Sequence, residues 1–149
     1  ACGSATPPAS QPAATSANHS TAHADEIAVL DAYRARPTQT NATAALALVS
    51  SSHDVTVAIP GSLLSEFLTG PELDKDKQSM LLAGFIVGNA RAQFVANVKG
   101  DNFVEGIRGV LLFYQGLRLN SPTIEAAAAA ERDGTLPDWA TSWQAAHPD

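Results

Sequence analysis

DKDKQSMLLAGFIVGNARAQFVANVKG, residues 74–100, and NFVEGIRGVLLFYQGL, residues 102–117, decide the fold of this 149-residue chain. The first stretch begins at about Asp74, with negative charge at the helix start. It runs as a long apolar-rich helix to about Lys99, where Gly100 is the expected left-handed stop. Asn102 then caps a second helix, and Glu105, three residues on, completes a capping-box pattern. Phe103, Ile107, Val110, Tyr114 and Leu117 follow at helical spacing and form a continuous apolar stripe. Gly106, Gly109 and Gly116 lie beside that stripe, and Gly84 and Gly88 stand four apart on the first arm. Glycine inside a helix costs about 1 kcal/mol relative to alanine. So many of them on adjoining faces predict two antiparallel arms with closely packed backbones.

Working outward, shorter helices surround this hairpin. Asp25 and Glu26 begin one that carries Ile27, Leu30 and Tyr33 and ends before Pro37. A second runs over 39–51 with Ala42, Ala45, Leu46 and Val49 as its buried stripe. Ser62 is expected to cap a short helix holding Leu63, Leu64, Phe67 and Leu68, which Gly70-Pro71 terminates. Ser121-Pro122 opens a helix through the alanine run, closed by Gly134, and Pro137 starts a last one with Trp139 and Trp143. Val55, Val57 and Ile59 alternate as in a strand, yet no second strand pattern exists to pair with them, so they predict an extended connector. The expected fold is all-α: a bundle of six to seven helices around a central antiparallel hairpin, occupying residues 24–149.

Residues 1–23 contain no Asp, Glu, Lys or Arg, and no Val, Leu, Ile, Met, Phe, Tyr or Trp. Such a composition cannot offset its ordering entropy by burial, which predicts a flexible tether. The single cysteine, Cys2, stands in Ala1-Cys2-Gly3-Ser4 ahead of a Ser/Thr/Ala/Pro-rich spacer. This arrangement resembles the start of a mature bacterial lipoprotein. The resemblance implies lipidation of Cys2, a membrane anchor, and a periplasmic or cell-surface location for the domain.

Composition narrows the function classes. Net charge is −6 and the nine Lys and Arg residues are scattered singly, which excludes clustered phosphate binding and hence nucleic acid as a partner. The most apolar run, residues 80–98, is interrupted by Asn89, Arg91, Gln93 and Asn97, as in a domain core. There is no glycine-rich phosphate loop, no serine elbow and no Cys–His pair, because Cys2 lies in the tether. His53-Asp54 are neighbours that would point apart in an extended segment. His19 and His23 lack nearby carboxylates, and Glu72, Asp74 and Asp76 lack the glycine and distal glutamate of a calcium loop. No metal, cofactor or enzymatic activity is expected.

The remaining candidates are binding residues. By helical phase Arg91 joins Gly84, Gly88 and Val95 on the apolar face, with Asn89, Gln93 and Asn97 as a polar ridge opposite. A guanidinium there forms an internal ion pair or meets a partner. Trp139 and Trp143 pack on the core or form an exposed aromatic anchor. Val55, Val57 and Ile59 offer an edge to which a partner's strand could add. The expectation is a lipoprotein domain that docks on a larger protein assembly; the alternative is an inhibitor or immunity protein that blocks an exported enzyme.

Overall fold

The computed structural model describes residues 22–148. In chain order they form α1 (Ala24–Ala35), α2 (Gln39–Ser51), a π-helical turn (Leu63–Phe67), α3 (Lys75–Ala96), α4 (Phe103–Leu117), α5 (Pro122–Arg132) and α6 (Leu136–Ala146). No strand occurs among the described residues. Cys2 and most of the expected tether lie outside them. His23, assigned to the tether by composition, packs against Phe94 at a ring separation of 5.0 Å.

The caps explain where most helices begin. Thr38 Oγ1 accepts from Asn41 N, Asp74 Oδ1 from Lys77 N, and Asn102 Oδ1 from Glu105 N, each satisfying a backbone donor of a first turn. Only half of the expected capping box forms. Asn102 N donates to Asn89 Oδ1 at 2.9 Å, and the Glu105 carboxylate turns to Arg108. Ser62 does not cap with its side chain; its Oγ donates to the backbone oxygen of His147 at 3.5 Å. The segment after Ser62 widens instead into a π turn, closed by Leu68 N to Leu63 O at 2.7 Å.

α3 and α4 form the central hairpin, and glycine sets their separation. A Cβ on Gly109 would stand 2.0 Å from Gly84 O, one on Gly88 2.5 Å from Glu105 O, and one on Gly106 2.5 Å from the Phe85 ring. Backbone therefore packs on backbone along this seam. Gly116 takes no part, since a Cβ there would meet open space. The left-handed stop of α3 is Asn97 (φ 53°) rather than Gly100. Val98 N bonds Gln93 O and Asn97 N bonds Phe94 O, so the last carbonyls are satisfied there.

One hydrophobic core joins the elements: Leu30 and Tyr33 from α1, Phe67 from the π turn, Phe85 and Val87 from α3, Ile107 and Val110 from α4, Ile124 from α5 and Leu136 from α6. α3 is long and apolar enough by length and composition to cross a membrane, but 56% of its apolar window is buried inside the domain, which makes it the core helix. Because neighbours surround it, only Asn97 of the polar ridge expected on its outer face is exposed. Asn89 is 0% and Gln93 3% exposed.

Candidate functional site

Around the hairpin turn, buried amides hold the extended connector in place. Gln93 brackets Thr56: its Oε1 accepts from Thr56 N at 3.0 Å and its Nε2 donates to Thr56 O at 2.7 Å. Asp101 Oδ1 accepts from Ala58 N and from Asn89 Nδ2, at 2.8 and 2.9 Å. Side chains thus occupy backbone groups that a partner strand would need. Val55 is buried, Val57 half-buried and Ile59 exposed, and the last two line a hollow of about 220 Å³ with Leu46, Val49 and Ile86.

Arg91 reaches from α3 to α1, where its Nε donates to Asp31 Oδ1 at 2.6 Å. The guanidinium is a third exposed and Asp31 nearly half, so the pair is worth at most about 1 kcal/mol. Leu30 and Tyr33 of the same helix are buried completely, and such burial contributes roughly 1.5–3 kcal/mol per side chain. Apolar contact fastens α1, and Arg91 fixes its register. Burial also raises the Tyr33 phenol above its ordinary pKa; its hydroxyl donates to Met80 O at 3.2 Å.

The aromatic candidates line an open recess of largely apolar character. Trp139 and Trp143 stand four apart on α6 and His147 follows at its C-terminal cap, while Leu136 and Ala140 on a neighbouring face enter the core. Each indole has an inner side and an outer side. Inward, Phe67 lies 5.7 Å from Trp139 and 5.9 Å from Trp143, and Phe103 stacks on Trp143 at 5.9 Å. Outward, both indoles join His147 and the α5 residues Pro122, Thr123 and Ala126 around a cleft of about 310 Å³. The two tryptophans are half-buried, so core packing and an accessible aromatic surface coexist in the same residues.

His147, not picked out from the sequence, completes this wall, and Glu66, likewise not picked out, contacts it from the π turn. His147 stacks on Trp143 at 4.2 Å, with Nδ1 2.8 Å from Trp143 O and Nε2 2.8 Å from Glu66 Oε2. The spacing of Trp139 and Trp143 was readable as one helical face. Glu66 comes from a distant turn that only the tertiary fold brings near. The structure does not bring Arg91 or the connector valines to this cleft, whose lining is confined to α5, α6 and His147.

The other candidates have local roles. Asp74 caps α3, and the Lys77 backbone N–H holds its carboxyl below the usual range. Glu72 accepts from Asn120 N at 2.6 Å. His53 offers its backbone oxygen to Lys99 Nζ, and Asp54 N donates to Ser52 Oγ. Among the described residues no group of three or more potential metal ligands converges. Compared with protein-family models, curated proteins and solved structures, the chain matches none of them.

Proposed function

We propose that the chain is a non-catalytic, lipid-anchored envelope domain that docks on a larger protein assembly through the cleft between α5 and α6. The observation that carries this reading is the outward side of Trp139 and Trp143. Two indoles held at fixed positions by core contacts offer large apolar area at little cost in side-chain entropy, as at the centres of protein interfaces. The occupant in this reading is an apolar side chain of a partner protein, seated between the indoles and Pro122. Cys2 supplies the anchor, and the polar segment after it supplies reach to a partner at the periplasmic or cell-surface side of a membrane.

A photo-reactive residue at Ala126, in the cleft, tests the reading in the native envelope. It should cross-link one specific envelope protein, the same probe at exposed Gln115 should not, and Trp143→Ala should abolish the product. Equal cross-linking from both positions would refute docking at this cleft. Cys2→Ser should release the protein from the membrane fraction; retention there would refute the anchor.

A further inference from the structure

We propose that the cleft between α4 and α5 binds an acidic α-amino acid, a small ligand with two carboxylates and one ammonium. The cleft measures about 300 Å³. Glu125, Ala128 and Arg132 line it from α5, and Tyr114, Gln115 and Arg118 from the end of α4. It opens on a different face of α5 from the tryptophan cleft, whose α5 residues are Pro122, Thr123 and Ala126. Ligand binding here stands apart from docking there, and neither depends on the other.

Two guanidiniums set this cleft apart. Elsewhere Arg91 is held by Asp31, Arg108 by Glu105 and Glu131, and Lys77 by Asp74. Among the described residues Arg118 and Arg132 make no ion pair, and Glu131, next to Arg132 in the chain, is engaged by Arg108. Other cations are unpaired as well; these two converge on one recess. Like charges in one recess repel, and a carboxylate placed between them offsets that repulsion while accepting the parallel N–H donors of a guanidinium.

The backbone beneath Arg118 is fixed before any ligand arrives. Arg118 ends α4 in the left-handed conformation, with φ 54° and ψ 41°. Glycine adopts that conformation without a Cβ penalty and is the usual residue there, so an arginine costs stability that the turn does not require. Surrounding bonds hold it nonetheless. The Tyr114 hydroxyl donates to Leu119 O and accepts from Ser121 N, each at 2.8 Å, and Asn120 N donates to Glu72 Oε2 at 2.6 Å. A guanidinium presented from a pinned turn leaves little backbone ordering to oppose binding.

Charge selects the ligand. Arg118, Arg132 and Glu125 sum to +1, and an acidic α-amino acid at neutral pH sums to −1. Its two carboxylates match the two guanidiniums, and its ammonium matches Glu125. A plain dicarboxylate serves the arginines but brings only like charge to Glu125, and a phosphate does the same. The volume lies at the lower limit of small-molecule sites, which suits a ligand of about ten non-hydrogen atoms.

The test is a nuclear magnetic resonance titration of the full chain, labelled with nitrogen-15, against L-glutamate. Amide signals of residues 114–120 and 125–132 should shift saturably, with a dissociation constant of about 1 mM or below, while the indole signals of Trp139 and Trp143 stay in place. Arg118→Gly and Arg132→Gln should each raise that constant roughly tenfold. Arg36→Gln, at an exposed arginine outside the cleft, should leave it unchanged. Glutarate, which lacks the ammonium, should bind roughly tenfold more weakly than L-glutamate, and Glu125→Gln should erase that preference. Arg118→Gly also relieves the left-handed side chain, so its melting temperature should rise while binding falls, which separates lost binding from lost folding. No saturable shift up to about 10 mM, saturation that survives both arginine variants, or equal affinity for glutarate overturns the proposal.

Discussion

Asn89, fully buried, ties three segments of the chain together through one amide. Its Oδ1 accepts from Gln93 Nε2 at 2.8 Å and from Asn102 N at 2.9 Å, and its Nδ2 donates to Asp101 Oδ1 at 2.9 Å. The residue thereby joins α3 to the hairpin turn and, through Gln93 and Asp101, to the connector at Thr56 and Ala58. Replacing it with leucine preserves bulk but takes the acceptor from Asn102 N, a half-buried donor, and one of two acceptors from Gln93 Nε2, at about 1–2 kcal/mol each. Asn89→Leu should therefore lose roughly 2–4 kcal/mol in urea unfolding, more than the Arg91→Met change at the exposed ion pair, for which about 1 kcal/mol is the ceiling. Equal losses would mean that the amide network contributes little. These residues also mark where sequence reading inverted the outcome. Asn89 and Gln93 carry the pattern of a solvated ridge, and helical phase places them opposite Arg91 correctly. What phase cannot convey is that an unpaired-looking segment, 52–60, lies over that ridge and needs side chains to satisfy its backbone.

At the scale of elements, the hairpin was legible because glycine in a helix interior demands a reason and close packing is the available one. Gly84, Gly88, Gly106 and Gly109 fulfil it, whereas Gly116 obeys the same pattern and touches nothing. The two classes should respond to alanine with opposite signs. Gly109→Ala drives a methyl into the Gly84 carbonyl, and backbone cannot swing aside as a side chain can; the loss should be about 3 kcal/mol, at the top of the usual overpacking range. Gly116→Ala adds helix propensity in open space and should gain up to about 1 kcal/mol. Thermal denaturation that ranks the two alike would contradict the packing of this seam. Element ends were less legible than element cores. The limits of α2 were read as they stand, but the stop of α3 passed to Asn97, three residues before the glycine that sequence reading favours. Asparagine tolerates the left-handed conformation well enough that the carbonyls of Gln93 and Phe94, rather than the most permissive residue, decided the point. The cleft was half legible: one face of α6 can be read from spacing, while Pro122 and Ala126 reach it only through the fold.

For the whole molecule, the decisive question is whether α6 belongs to the same cooperative unit as the hairpin. Its inward face contributes Leu136 and Ala140 to the core, and Trp143 stacks on Phe103 at the first turn of α4 while also meeting Phe67 of the π turn. No element holds a hydrophobic cluster of its own; the buried residues of all of them form a single set. Domains of this size with one core unfold in a single all-or-none transition. Fluorescence excited at the indole edge follows α6 alone, whereas far-UV circular dichroism follows every helix. Measured on one urea titration, the two probes should give the same midpoint and the same slope, about 1–3 kcal/mol per molar urea. A fluorescence midpoint at lower urea would show α6 leaving first, as a separate unit of low local stability. The aromatic contacts to Phe67 and Phe103 would then be insufficient to bind the helix to the core, and the fixed indole geometry on which the docking cleft depends would be lost with them.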